Sequence, residues 1–115
     1  MNTRKLADET RVLEEHWAWL VPLDGADAGK VLRVSSPTMV GTDPACSLRL
    51  RGESVATHHV ELVRRQPGAW TLTDHAGERR TKIDGDWLGS GQAFDIHDGA
   101  HIEIGSLSLV FKCVG

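Results

Sequence analysis

Residues 40–62, VGTDPACSLRLRGESVATHHVEL, decide the fold. A short apolar run ends in Gly41, and a cluster of turn-forming residues follows at 42–44. Apolar and polar residues then alternate over 47–51 and again from His59 onward, which is typical of half-buried strands. The stretch therefore predicts three strands joined by two polar loops. We expect a ligand site on those loops, because rigid strands position mobile loop tips.

The same strand pattern continues on both sides of this stretch. Glycine, proline and aspartate separate short alternating segments at close intervals, which is the signature of turns between strands. Besides the two strands at 47–51 and from His59 onward, the predicted strands are Trp17–Leu23, Lys30–Val34, Thr38–Gly41, Trp70–Asp74, Thr81–Ile83, Trp87–Leu88, Ala93–Ile96, His101–Ile104 and Leu107–Phe111. A total of about ten short strands predicts an all-β sandwich of two antiparallel sheets with short loops.

Composition indicates a single non-membrane domain. The chain has 115 residues, of which 40% are hydrophobic and 25% charged, enough for one small core. A net charge of -3 argues against a nucleic-acid partner, since binding a phosphate backbone needs a basic surface. No apolar run reaches the length of a membrane helix, and the N-terminus lacks a signal-peptide core. We expect a cytoplasmic protein.

The six histidines and two cysteines form no motif of a metal site or an enzyme. Cys46 and Cys113 match no metal spacing and are too few for a disulfide scaffold, so free thiols are expected. His97 and His101 have a spacing that would bring them together on a helix, but the segment reads as turn and strand. No nucleophile elbow or phosphate loop is present. We predict no catalytic residues, no metal and no cofactor.

The N-terminal segment and the tryptophans leave alternatives open. Residues 1–16 are polar, with apolar residues at loosely helical spacing, and predict a tail or a short helix ahead of a domain at 17–115. Trp19 and Trp70 fit core positions. Trp87 precedes a polar Gly-Ser-Gly loop; core packing is the expectation for it, and a partly exposed interface anchor is the alternative.

Five segments in order resemble a known family, the forkhead-associated (FHA) domain. They share its arrangement of turn glycines, a histidine entering a strand, a tryptophan-to-aspartate strand and an aspartate-glycine turn. The segments are Val40–Leu48, Val55–Leu62, Trp70–Asp74, Thr81–Leu88 and Ile96–Gly105. The resemblance runs from Trp19 to about Phe111 and implies a β-sandwich whose loops at one end bind phosphothreonine peptides through an arginine, a serine and an asparagine.

Carried over residue by residue, that resemblance places Thr42 at the arginine position and Ala56 at the serine position. The asparagine-glycine pair falls on Arg79 and Arg80. His59 matches the family histidine, which braces the loops, and the resemblance implies a structural framework of Gly41, His59, Gly85 and Gly99. The chain therefore resembles a divergent member that lacks the usual phosphothreonine-binding residues.

These departures matter because a phosphate dianion is held by converging charge-assisted donors, and arginine supplies a planar fork of them. Ala56 offers no side-chain donor and Thr42 offers one neutral hydroxyl. Phosphothreonine recognition in the family's usual way is not expected. The function predicted is a non-catalytic protein-interaction or scaffold module that works without phosphorylation, using the loop end or an exposed sheet face.

The alternative is a phosphothreonine-peptide reader with a rebuilt anion site at Arg79, Arg80 and Thr57. Ser54 and Thr57 flank Ala56 and could lend hydroxyls to such a site. The competing interpretation of the two arginines is a solvated pair that contacts Glu78 or Asp74. The candidate peptide-binding residues are Thr42, Ser54, Thr57, Arg79, Arg80 and Thr81. The expected partner is a protein or peptide, phosphorylated in the alternative, and we expect the domain to be part of a larger protein.

Overall fold

The structure, a computed structural model, describes residues 18–114 and consists of strands, turns and loops. The predicted N-terminal tail or helix at 1–16 lies outside the described residues. The strands are β1 Ala18–Pro22, β2 Leu32–Arg33, β3 Thr38–Gly41, β4 Leu48–Arg49, β5 Val60–Gln66, β6 Ala69–Asp74, β7 Thr81–Ile83, β8 Asp86–Trp87, β9 Ala93–Ile96, β10 His101–Ile104 and β11 Leu107–Cys113. No helix among these residues is long and apolar enough to cross a membrane.

The strands form two sheets, and the predicted all-β sandwich is confirmed. One sheet has the order β2-β1-β11-β10-β7-β8, and the other has the order β4-β3-β5-β6-β9. The prediction of purely antiparallel sheets needs one correction, because β3 and β4 pair in parallel, with Val40 opposite Leu48. The loop at 42–47 carries the chain back beside Val40 and Gly41 at the end of β3, so the two strands run in the same direction.

The core lies between the sheets and follows the alternation of the long strands. Leu109 and Phe111 on β11 are fully buried, and so is Leu72 on β6. The Phe111 and Trp70 rings meet edge to face, with centroids 5.6 Å apart. Each such side chain contributes about 1.5–3 kcal/mol by leaving water, so the alternating positions are the main favourable term in folding.

The prediction that Trp19 lies in the core is wrong, and its neighbour Leu20 lies there instead. Leu20 is fully buried and lies opposite Phe111 in the β1–β11 register, whereas Trp19 is only half-buried. Both faces of β1 carry apolar residues, so alternation alone could not say which face points inward. Trp70 is 2% exposed, as predicted, and Trp87 is 51% exposed, so the expected core packing of Trp87 is wrong.

Glycines at two turns adopt conformations that other residues reach at a cost. Asp84 and Gly85 have φ values of 50° and 89°, so the β7–β8 hairpin turns through two left-handed residues. Gly99 has a φ of 86°, and its N–H donates to the Phe111 carbonyl at 2.7 Å. Glycine carries no Cβ penalty in this region of backbone space.

Gly41 is required for a different reason, the close approach of another chain segment. A Cβ built on it would lie 2.0 Å from the Thr57 carbonyl oxygen and 3.0 Å from the Ala56 carbonyl oxygen. Both atoms belong to backbone, which cannot swing aside as a flexible side chain would. The end of β3 and the loop before β5 are therefore in direct backbone contact at Gly41.

We expect Gly41→Ala to lower the free energy of unfolding by about 1–3 kcal/mol or more, because backbone must shift to admit the methyl group. The measurement is urea denaturation followed by tryptophan fluorescence. Gly89→Ala is the matched control, since its Cβ would meet only Gln92 Oε1 at 3.8 Å. Its effect should stay within about 0.5 kcal/mol. Equal stabilities for the two variants would contradict the close approach.

Candidate functional site

One buried histidine joins two loops at one end of the sandwich. His59 is fully buried, and its Nδ1 accepts the backbone N–H of Ala56 at 2.9 Å. Its Nε2 lies 3.0 Å from Thr81 Oγ1 and 3.2 Å from the Arg80 carbonyl oxygen. Because Nδ1 acts as an acceptor, the proton of the neutral ring is on Nε2 and is donated toward residues 80 and 81. His59 thus connects the β4–β5 loop to the β6–β7 loop.

A buried carboxylate extends this hydrogen-bond chain. Thr81 Oγ1 donates its single proton to Asp74 Oδ1 at 2.6 Å and therefore serves as an acceptor for His59. Asp74, which is 1% exposed, also accepts the N–H groups of Ala76 at 3.3 Å and Gly77 at 2.9 Å. Three donors satisfy a carboxylate that would otherwise be costly to bury. The start of the β6–β7 loop is fixed by these bonds.

The third loop, between β3 and β4, is bound to the segment before β5. The Thr42 N–H donates to the Ala56 carbonyl at 3.0 Å, and the Asp43 N–H donates to the Thr57 carbonyl at 3.2 Å. The Cys46 thiol also donates to the Thr57 carbonyl, at 3.2 Å. Burial raises the pKa of Cys46, with the nearby Asp43 carboxylate adding to the effect, so the group stays a thiol and a donor.

The two adjacent arginines have different surroundings. Arg79 is exposed and has a φ of 52°, directly after Glu78 with a φ of 58°. Arg80 is half-buried; its Nη2 donates to the Ala76 carbonyl at 3.3 Å, and its Nε is buried without a partner in residues 18–114. Over the same residues, neither arginine forms an ion pair with Glu78 or with Asp74. The interpretation as a solvated pair with those acids therefore does not describe this loop.

The structure brings three of the six predicted peptide-binding residues together. Ser54, Arg79 and Arg80 line one cleft of about 210 Å³, which also contains Glu53 and Glu103. The other three are not in its lining. Thr42 is half-buried, Thr57 is exposed with its carbonyl committed to the β3–β4 loop, and Thr81 is 1% exposed and bound to Asp74.

Sequence reasoning missed the roles of two residues that shape this end of the molecule, Asp74 and Gly105. Asp74 organises the β6–β7 loop, and its signal was an aspartate at a strand end before Ala-Gly, where it can accept N–H groups two and three residues later. A Cβ on Gly105 would lie 2.6 Å from the Ser54 carbonyl oxygen, and no local pattern announced that contact. The exposure of Trp87 was weighed only as an alternative.

Burial also sets the protonation of the central histidine. It lowers the pKa of His59 below the ordinary value of 6.5, while the Arg80 carbonyl and the Asp74 carboxylate oppose the shift. Desolvation penalises the imidazolium, and the Nδ1 acceptor role requires the neutral ring. The hydrogen-bond network therefore exists in its complete form only with His59 unprotonated.

Comparison with known sequences identifies the same family that the motifs resemble. The sequence model of the FHA domain matches residues 38–105, which is more than half of the chain. A comparison with curated proteins finds no match.

Solved structures share the fold at low sequence identity. The FHA domain of the CT664 protein from Chlamydia trachomatis aligns with a TM-score of 0.74 at 16% identity, covering 86% of this chain and 99% of that one. An FHA domain of a hypothetical protein from Arabidopsis thaliana aligns with a TM-score of 0.76 at 18% identity, covering 87% of each chain. EmbR from Mycobacterium tuberculosis, solved with a low-affinity phosphopeptide, aligns with a TM-score of 0.72 at 19% identity, covering 97% of this chain and 31% of EmbR.

We expect the His59 ring to titrate below pH 6.5, the ordinary value for histidine, in the folded protein. Two-dimensional NMR of the imidazole nitrogens across a pH series measures this directly and also identifies the proton on Nε2. The same titration in denaturing urea provides the unfolded reference. A folded-state pKa equal to or above the urea value would contradict the network.

The same shift makes stability depend on pH. A folded-state pKa below the unfolded one means that the unfolded chain binds a proton first, so the free energy of unfolding falls as pH drops below 6.5. The stabilisation is complete above that value. Urea midpoints at a series of pH values should show a shallower acid decline in His59→Gln than in the parent, while His58→Gln, altered at an exposed neighbour, should retain it.

Proposed function

The chain belongs to the forkhead-associated family of protein-interaction modules, and from that premise we propose that it binds its partner without requiring phosphorylation. In the FHA domains that it resembles, an arginine, a serine and an asparagine hold the phosphate, and Thr42, Ala56 and Arg79 stand at those positions here. The proposal is carried by one observation: at the loop end, the Thr42 and Ala56 N–H groups and the Thr81 hydroxyl are already bound within the domain.

Three donors near the phosphate position already have an acceptor within the domain. The Thr42 N–H is bound by the Ala56 carbonyl, the Ala56 N–H by His59, and the Thr81 hydroxyl by Asp74. A phosphate could use these three donors only by displacing their present bonds. Losing one charged hydrogen bond costs about 1.5–3 kcal/mol, so losing two weakens binding by about two to four powers of ten.

The electrostatics of the loop also oppose a dianion. Asp43 follows Thr42, and its Oδ1 accepts the Ala45 N–H at 2.8 Å, which fixes the carboxylate in the loop. Like charges in proximity disfavour binding, and they do so most where one of them cannot move away. An uncharged or basic partner segment meets no such penalty at this end of the sandwich.

The alternative, a phosphothreonine reader rebuilt on Arg79, Arg80 and Thr57, is favoured by the unpartnered Arg80 Nε. Three features count against it. Thr57 does not line the cleft of the two arginines, Glu53 and Glu103 do line it, and Arg80 Nη2 is used by the Ala76 carbonyl. The carboxylates offset most of the positive charge that an anion would need.

The remaining parts of the proposal concern the cellular location of the module and the larger protein that contains it. We place the module in the cytoplasm, supported by the free thiols of Cys46 and Cys113, which are typical of reducing compartments. We also propose that residues 17–115 act as one binding domain of a larger protein, with 1–16 as its lead-in. The EmbR comparison supports this, since an FHA fold there occupies a minor part of a longer chain. Catalysis has no part in the proposed function.

The test is an NMR amide-shift titration with a degenerate phosphothreonine peptide pool and its unphosphorylated counterpart. We expect no shifts specific to the phosphorylated pool around Thr42, residues 56–59 or residues 79–81. The double variant R79A/R80A should behave as the parent does. Arg33→Ala, an exposed arginine on β2, serves as the matched control for loss of positive charge.

One outcome would overturn the proposal, and a second result would then identify what replaces it. Loop shifts that appear only with phosphorylated peptides would overturn it. If R79A/R80A then abolished those shifts while Arg33→Ala preserved them, the rebuilt anion site would take its place.

A further inference from the structure

Among residues 18–114, Trp87 is the most exposed aromatic side chain. It is 51% exposed and lies on β8, the last strand of the six-stranded sheet. Three separate clefts include it in their lining, one beside Arg79 and Arg80, one beside Glu78 and Gly89, and one facing β9. Large aromatic side chains exposed at the meeting point of clefts are typical anchors of protein interfaces.

The cleft facing β9 lies on the seam between the two sheets. β8 ends one sheet and β9 ends the other, so two edge strands flank it. Its apolar surface comes from Ile83, Trp87, Leu88 and Phe94. The volume is about 260 Å³. Pockets for whole small molecules start near 300 Å³, so this cleft suits one or two side chains of a peptide better than a separate metabolite.

Three carboxylates surround that apolar surface. Asp84, Asp86 and Asp95 all line the cleft. Asp84 is partly engaged, since its Oδ1 accepts the His101 N–H at 2.9 Å and its Oδ2 lies 3.6 Å from His97 Nε2. Asp86 and Asp95 are exposed and form no hydrogen bond or ion pair with another side chain in the described part of the chain. The rim therefore offers two uncommitted negative charges beside aromatic rings.

The tryptophan ring already takes part in a cation contact within the domain. Lys82 lies opposite Trp87 in the β7–β8 register, and its Nζ is 4.4 Å from the ring centroid. Such a cation is attracted to the negative face of the ring. A ring with carboxylates nearby favours a partner side chain with a long apolar stem and a cationic head.

We propose that the seam between β8 and β9, built on Trp87, Phe94, Asp86 and Asp95, binds an extended peptide segment with a large apolar residue at one position and arginine or lysine two positions later. This inference rests on the proposed phosphorylation-independent function and names its surface. In an extended segment, residues two apart project from the same side about 7 Å from each other. One then fills the apolar surface while the other meets the carboxylates.

An extended partner also suits the strands that flank the cleft. Edge strands present backbone N–H and C=O groups that a further strand can pair with, and peptide recognition often uses that edge. β9, at Ala93–Ile96, pairs with β6 on one side and ends its sheet on the other. The charge of the rim sets the sign of the partner, because acidic or phosphorylated segments would face Asp86 and Asp95.

The test uses three degenerate eight-residue peptide libraries with a fixed central Leu-X-Arg, Leu-X-Glu or Ser-X-Arg, titrated into the ¹⁵N-labelled full chain. We expect the Trp87 indole N–H and the amides of 93–96 to shift with the Leu-X-Arg library. The other two should bind at least tenfold more weakly. Raising the salt concentration should weaken the Leu-X-Arg binding further, since exposed charge pairs are screened.

Variants then locate the binding. Trp87→Ala should reduce affinity for the Leu-X-Arg library at least tenfold, and D86N/D95N should reduce it about threefold to tenfold and flatten its salt dependence. Val31→Ala is the matched control, because Val31 is 63% exposed outside the seam and outside its clefts. It should bind as the parent does, and the amide spectra of all variants should retain the dispersion of the folded sandwich.

The outcomes separate this inference from the function on which it rests. The assignment of the seam as the binding site would be overturned by the absence of a Trp87 shift with any library. Equal shifts for Leu-X-Arg and Leu-X-Glu would overturn it as well. Unphosphorylated peptides that shift only residues outside the seam would also overturn this assignment, although the proposed function would then stand. Binding seen only with phosphothreonine peptides at the loop end would overturn both. Peptide-independent Trp87 shifts that grow with protein concentration would assign the seam to a second copy instead.

Discussion

A single buried imidazole holds the loop end of this domain together. His59 accepts from the backbone on one side of its ring and donates toward the β6–β7 loop on the other, and Thr81 passes the connection on to Asp74. Every member of that chain is buried or half-buried, so each bond excludes water and removing any one leaves a costly unpaired group. The positions of the loops, and hence of every surface on them, depend on this neutral ring.

The hydrogen bonds that stabilise the loops are also the basis of the proposed phosphorylation-independent binding. Donors with internal acceptors give rigidity, whereas donors held open would give affinity for an anion, and one group cannot do both. The contact of Gly41 with the Thr57 backbone shows how closely the loops have been joined. The binding surface that we propose therefore lies away from these bonded groups, along the sheet edges and around Trp87.

Most of the strands could be predicted from the sequence because period-two burial is a local property, and β3, β7, β9 and β10 have the predicted bounds. Features that depend on contacts between distant segments could not be predicted from the sequence. The inward face of β1 was ambiguous until its register with β11 was known, since Trp19 and Leu20 are both apolar. The parallel β3–β4 pair and the tight packing at Gly105 arise from the path of loops. The candidate loop residues could be named, but whether their side chains shared a cleft required coordinates.

The backbone at Arg79 adopts a conformation that arginine does not favour. A left-handed φ of 52° costs an arginine about 1–2 kcal/mol, whereas asparagine adopts this conformation far more readily. The resemblance described in the sequence analysis implies asparagine at this position in the family. The loop is held in that conformation from outside, by the bonds to Asp74 and by the Arg80 carbonyl, which accepts the Gly105 N–H at 2.8 Å. Bonds from neighbouring segments, rather than the preference of the residue itself, thus set the backbone conformation at this position.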